Sequence, residues 1–193
     1  MKKIVSMLMA VCMILGSMLM FTACGDEDPV KVVLTVKDFG EITLELYPEH
    51  APITVKNFLK LVDEKFYDGL TFHRIYKGFM IQGGDPKGDG TGDSGETIKG
   101  EFSNNGVDNP LSHTRGTISM ARGSYSMDSA SCQFFICDAD STFLDGDYAA
   151  FGKVIAGMDV VDAIASVEVS ANAWGELSDP LQDVIIESIR RAE

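Results

Sequence analysis

Basic residues are scarce: 16 Lys and Arg stand against 29 Asp and Glu, a net charge of −13. Such a surface repels phosphate backbones and argues against nucleic-acid binding. Histidine is scarcer still. His50, His73 and His113 are the only three, without metal-ligand spacing and without a serine in a nucleophile elbow nearby. The glycine-rich stretch from Gly88 to Gly95 lacks the lysine and helix start of a phosphate loop, so it reads as a surface loop. No internal repeat and no second linker appear. The four cysteines are too few for a disulfide scaffold. Cys132 and Cys137 stand five residues apart, about 16 Å along one strand, against the ~7 Å that a disulfide tolerates. Their odd spacing puts them on opposite faces, and both are expected to be free, buried thiols.

Acidic residues are also absent from one place, the segment before Asp26. Lys2 and Lys3 open it, and an apolar run from Ile4 to Phe21 follows, broken only by Ser6, Gly16 and Ser17. Charged start and apolar stretch together have the layout of an export signal. The run ends in Thr22-Ala23-Cys24, which resembles a bacterial lipoprotein cleavage site, although Phe21 replaces the usual leucine. Residues 1–23 are therefore expected to be a lipoprotein signal peptide, with 24–29 a lipidated Cys24 and short polar tether. The alternative is an uncleaved anchor, since about 18 apolar residues can just span a bilayer. Either reading places residues 30–193, one domain, on the extracytoplasmic face of the cell membrane.

In that domain Val32, Leu34 and Val36 alternate with Val33, Thr35 and Lys37, and after Asp38-Phe39-Gly40 Ile42, Leu44 and Leu46 alternate with Thr43, Glu45 and Tyr47. This is a hairpin with one buried face. Val55, Phe58, Leu59 and Val62 then fall at helical spacing, with Pro52 suited to the first turn. From Phe66 to Gly152, short apolar segments separated by turns suggest an all-β sandwich or barrel. A second helix is expected near Met158 to Ser166, and a last strand over Asp183 to Ile189.

The stretch "FHRIYKGFMIQGGD" (72–85) gathers aromatic, thioether, guanidinium and amide groups. Arg74 shares strand parity with Met80 and Gln82, so these would converge on one face. Ser119-Met120-Ala121-Arg122, "QFFI" (133–136) and "FLDGDYAAFGKV" (143–154) follow in order. Together with "LYPEHAPITVKNF" (46–58), these blocks resemble the cyclophilin family of peptidyl-prolyl cis/trans isomerases, from about Val30 to Arg190. The resemblance implies a mainly β fold: a closed eight-stranded antiparallel β-barrel capped by two α-helices. It also implies a catalytic Arg74 with Gln82 as its polar partner. Phe79, Met80, Phe135 and Leu144 would form the proline pocket, while Ala121, Arg122 and Gln133 would hold the neighbouring substrate backbone. Phe143 stands where a tryptophan is usual, and Tyr148, where a histidine is usual, is either pocket wall or barrel rim. Arg122 replaces an asparagine, and the loop from Gly123 to Cys132 is about two residues longer than usual. No metal and no cofactor is implied, and the partners would be proline-containing segments of unfolded or folding proteins. A monomer is expected.

The implied chemistry suits this inventory. Amide resonance sets a rotational barrier of about 20 kcal/mol. Lowering it needs only water removed from the prolyl amide and a donor for the imide nitrogen as it becomes pyramidal. Removing about 6 kcal/mol would give roughly four orders of magnitude in rate. A non-catalytic proline-peptide-binding or holdase module is the rival reading, and intact Arg74, Phe79, Gln82 and Phe135 argue against it. Family members bind cyclosporin partly through the indole N–H of that usual tryptophan, and Phe143 has no donor. Cyclosporin is thus expected to inhibit about 10- to 100-fold less tightly than in tryptophan-containing members. Phe143→Trp should recover part of this with little change in turnover. Coincident inhibition constants for the two proteins would show that the missing donor does not set sensitivity.

Overall fold

A computed structural model of the chain describes residues 28–192. The expected signal segment and Cys24 lie outside them. Among the described residues no helix is long and apolar enough to cross a membrane.

Strands β1 (Val30–Val36) and β2 (Gly40–Leu46) form the expected hairpin, with Leu34 opposite Ile42 and Val32 opposite Leu44. Their alternating apolar side chains are buried, as a one-sided strand pair requires. Helix α1 (Pro52–Asp63) follows, burying Val55, Phe58, Leu59, Leu61 and Val62 in the same core. Phe58 meets Tyr67, Phe134 and Phe151, with ring centroids 5.2 to 5.6 Å apart.

The remaining strands are β3 (Arg74–Tyr76), β4 (Met80–Gly83), β5 (Thr117–Met120), β6 (Phe134–Cys137) and β7 (Ala150–Ala156). Helix α2 (Met158–Ala165), the short pair β8 (Val169–Ala171) and β9 (Leu177–Pro180), and β10 (Ile186–Arg191) complete the order. Eight strands make one antiparallel sheet in the order β10-β1-β2-β7-β5-β6-β4-β3. This is the cyclophilin-like mainly β fold with two helices, but the sheet is open rather than a closed barrel. Its edges, β10 and β3, do not pair with each other. The seam is instead crossed by the irregular segment before β3: Gly69 N–H donates to Ile186 O (2.8 Å), Ile186 N–H to Leu70 O (2.7 Å) and Phe72 N–H to Val184 O (2.9 Å). These bonds explain why the last strand begins at Ile186 rather than Asp183. Val184 and Ile185 are engaged with residues 37, 71 and 72 while β10 pairs with β1. The pair β8–β9 forms a second sheet that the sequence pattern did not indicate.

Strand alternation divides the apolar side chains into two groups. Ile81, Phe134 and Ile136 join the main core, whereas Met80, Phe135 and Cys137 join a separate cluster with Leu144, Phe79, Ala121 and Tyr148. Cys132 lies in the first group and Cys137 in the second, and both are free and buried.

Helix α1 begins without a side-chain cap of its own, because its N-cap is Ala51. Glu101 supplies the missing acceptor. Its buried carboxylate receives Ile53 N–H (3.1 Å), Thr54 N–H (2.7 Å) and the Thr54 hydroxyl (2.7 Å). The arrangement satisfies the helix's free donors and sets a negative charge against the positive end of its dipole. Glu101→Ala is expected to destabilise the fold by about 2–4 kcal/mol, because buried donors lose a charged partner. Chemical denaturation measures this, and a loss below about 1 kcal/mol would mean that water replaces the carboxylate.

Candidate active site

Arg74 and Gln82 are cross-strand partners in the β3–β4 hairpin, which places their side chains side by side on the outer face. The turn between the strands, Lys77-Gly78-Phe79, uses Gly78 at φ 79°. Asp138 pins this turn: its carboxylate accepts Gly78 N–H at 2.6 Å, and its own N–H donates to Phe79 O at 2.9 Å. Phe79 is thereby held beside Met80, while Phe135 sits opposite Gln82 on β6.

These side chains enclose a recess of about 140 Å³ lined by Arg74, Phe79, Met80, Gln82, Ala121, Arg122, Phe135, Leu144 and Tyr148. Nine of the eleven site residues expected from sequence therefore meet in one place. Gln133 stands in the adjoining recess, where its Oε1 accepts from Gln82 Nε2 (2.9 Å) and its own Nε2 donates to Gly92 O (2.9 Å) and Gly90 O (3.2 Å). Phe143 is the other exception. Neighbouring residues diverge in a 3₁₀ turn. In the turn Thr142–Leu144, Leu144 faces inward while Phe143 is 72% exposed, its ring 5.5 Å from that of Phe79. It is a rim residue rather than a pocket wall. Tyr148 resolves as wall, edge-on to Phe135 at 5.9 Å. The Arg122 guanidinium lies 5.0 Å from the Tyr148 ring and donates from Nε to Asp147 O at 2.7 Å. Arg122 thus braces the wall instead of extending into solvent.

The guanidinium of Arg74 is fixed from three sides. Nη1 donates to Gln82 Oε1 (3.2 Å), and Nε and Nη2 donate to the two carboxylate oxygens of Glu176 (2.7 and 2.8 Å). Glu176 was not singled out from sequence; it lies 102 residues away, just before β9. Its Arg74 bonds, ahead of burial, hold its carboxyl below the usual glutamate range. The Gly-rich loop beside the site is likewise held by one carboxylate. Buried Asp85 accepts Lys87 N–H (2.8 Å), Asp89 N–H (3.2 Å) and Gly90 N–H (2.6 Å). The tight approach of Asp85 leaves no room for a Cβ at Gly92.

Beneath Phe135 lies a constellation that sequence spacing did not reveal. His113 stacks on the Phe135 ring at 5.9 Å, its Nδ1 is 2.7 Å from Asp145 Oδ1, and its Nε2 is 2.9 Å from Ser119 Oγ. Burial lowers the His113 pKa despite Asp145, so the ring is neutral, donating to Asp145 and accepting from Ser119. The order Ser–His–Asp matches a hydrolase triad, but Ser119 and His113 are completely buried. A nucleophile without access cannot attack, so the group serves as a polar floor under Phe135. Among the described residues no group of His, Cys, Asp or Glu is arranged to hold a metal ion. His73 has both ring nitrogens buried without a hydrogen-bond partner.

The geometry has counterparts. The family model for cyclophilin-type peptidyl-prolyl cis-trans isomerases matches residues 31–191. Peptidyl-prolyl cis-trans isomerase B of Bacillus subtilis is 45% identical over 134 residues, covering 69% of this chain and 90% of that protein. A peptidyl-prolyl cis-trans isomerase of Acinetobacter baylyi is 42% identical over 193 residues, covering 95% and 96%. The crystal structure of a Cryptosporidium parvum cyclophilin-type isomerase superposes with a TM-score of 0.76 at 29% identity, covering 86% of this chain and 98% of that one. A second structure of the parasite protein, determined in the presence of the dipeptide Ala-Pro, gives a TM-score of 0.75 at 30% identity, covering 84% and 99%. With a matching family model across the eight-stranded sheet and both helices, and bacterial isomerases aligned over most of their own length, the chain belongs to the cyclophilin-type peptidyl-prolyl cis-trans isomerases and is an enzyme of that activity.

Proposed function

We propose that Arg74 and Gln82 carry the isomerisation, with the prolyl ring seated against Phe79, Met80, Phe135 and Leu144. The observation behind this reading is the fixed guanidinium beside an apolar recess. Three of its five N–H groups are engaged by Glu176 and Gln82, which leaves one on Nη1 and one on Nη2. A prolyl amide in the recess loses water, which weakens the resonance that favours a planar bond. As the bond twists, the imide nitrogen becomes pyramidal and gains a lone pair that a free Arg74 N–H can meet. Both effects favour the twisted state over either planar state, which is what lowers the barrier. Gln82 holds the guanidinium and links it to Gln133, and Ala121, Arg122 and Gln133 flank the substrate backbone. Ala121 N–H is already bonded to Gln133 O at 2.9 Å, so the edge presented there is stiff.

The same reading places the enzyme outside the cytoplasmic membrane, anchored through acyl chains on Cys24 and acting on exported proteins as they fold. Lys2-Lys3, the apolar run to Phe21 and the small residues before Cys24 support the location. Uncatalysed prolyl isomerisation takes tens of seconds, long enough to limit the folding of an exported chain.

Two measurements test these assignments. Arg74→Ala should lower turnover of a prolyl peptide at least about tenfold, roughly 1.4 kcal/mol of transition-state stabilisation, in a protein that remains folded. Near-wild-type turnover would remove the guanidinium from the mechanism. For location, intact mass of the membrane-extracted protein should show a chain beginning at an acylated Cys24. A retained Met1, or a mature chain without acyl mass, would sink the lipoprotein reading.

A further inference from the structure

We propose that Glu176 is a positioning residue for Arg74, so that the β8–β9 hairpin is a working part of the isomerase site. The inference rests on the role proposed above for Arg74. An arginine on the three-residue edge strand β3 has a long, flexible stem and its side chain is 32% exposed. Gln82 alone, through one 3.2 Å bond, would fix one nitrogen and leave the guanidinium plane free to turn. The paired bonds to both oxygens of Glu176 fix that plane, because a planar fork meets a planar carboxylate in one arrangement. The two unengaged N–H groups then belong to Nη1 and Nη2, with Arg74 lining the recess.

The carboxylate is itself built in. Asn172 Oδ1 accepts both Trp174 N–H and Glu176 N–H at 3.0 Å, and Asn172 N–H donates to Glu176 O at 2.8 Å. Gly175, at φ 81°, permits the reversal. Asn172 Nδ2 also donates to Ser178 Oγ at 3.2 Å. Strand β9 packs against β3, the strand that carries Arg74. The hairpin lies outside the eight-stranded sheet, and Trp174 and Leu177 within it are 84% and 64% exposed. Much of its apolar surface therefore adds little to the core, while its one partly buried carboxylate meets the guanidinium. A carboxylate also draws charge from its partner, which weakens donation. Fixed direction is the larger effect here, because a misdirected donor contributes nothing to the twisted state.

Steady-state assays on a prolyl peptide should compare wild type, Glu176→Ala, Glu176→Gln, Glu176→Asp, Arg74→Ala and the Arg74→Ala/Glu176→Ala double variant. Glu176→Ala should lower kcat about 5- to 20-fold while KM changes by less than about twofold. The Arg74 Nε–H resonance should lose its protection from solvent exchange. Glu176→Asp should regain part of the lost kcat, and the alanine change should cost nothing further once Arg74 is already alanine. Glu176→Gln, which keeps the side-chain volume, should lower kcat in the same direction and covers the case in which alanine unfolds the hairpin. A folded Glu176 variant with turnover at or above wild type would overturn the inference, as would an equal loss in the Arg74→Ala background. Retained turnover in Arg74→Ala itself would instead strike the role of Arg74, and the inference would fall with it.

Discussion

Strands β4 and β6 are buried on both faces, and the rest of the molecule is arranged around that constraint. One face gives Ile81, Phe134 and Ile136 to the core shared with both helices; the other gives Met80, Gln82, Phe135 and Cys137 to the recess side. Neither set can shift without the other, because a one-residue slip exchanges the two faces. The substrate surface is therefore as well determined as the core. The His113–Asp145–Ser119 group extends the determination below the recess, fixing the ring on which Phe135 rests.

Across the recess runs a continuous polar chain, from Glu176 through Arg74, Gln82 and Gln133 to the carbonyls of Gly90 and Gly92. Each side chain is held by its neighbour, so the donors and acceptors along the site keep their directions. The chain joins the β8–β9 hairpin on one side to the Asp85-organised loop on the other. Two carboxylates, Glu101 and Asp85, perform the same task elsewhere, each gathering backbone N–H groups that no regular strand or helix would satisfy, and Asp138 takes one more from Gly78. Part of the acidity of this chain is thus internal scaffolding and not only surface charge.

Much of the fold was legible because its signals are local. The alternation of Val32 to Leu46 and the helical spacing of Val55 to Val62 each follow from a short window, and the structure reproduces both. The recess was legible through resemblance, since Arg74, Phe79, Met80 and Gln82 lie within one hairpin motif. What stayed hidden depends on contacts between distant segments. Glu176 meets Arg74 across 102 residues, Glu101 caps a helix 47 residues before it, and Asp145 reaches back 32 residues to His113. No periodicity records such pairings, and in a chain with 29 acidic residues no single carboxylate stands out. The open sheet was missed for a related reason: the resemblance implied eight strands, but which edges pair depends on the irregular segment at residues 69–72. Motif position put Phe143 among the substrate-binding residues beside the proline pocket; its exposure at the rim, next to inward-facing Leu144, follows from the backbone of one turn.

The placement of the two cysteines has a chemical consequence. Burial pushes the Cys132 thiol to about 11 and the Cys137 thiol to about 12. At neutral pH only on the order of one molecule in 10⁴ to 10⁵ would carry either as thiolate, the form that attacks disulfides and oxidants. They also face opposite sides of β6 and its approach, so neither can reach the other. Among the described residues neither cysteine is therefore open to thiol exchange while the domain stays folded. A reagent that attacks thiols would meet either sulfur only when the domain opens.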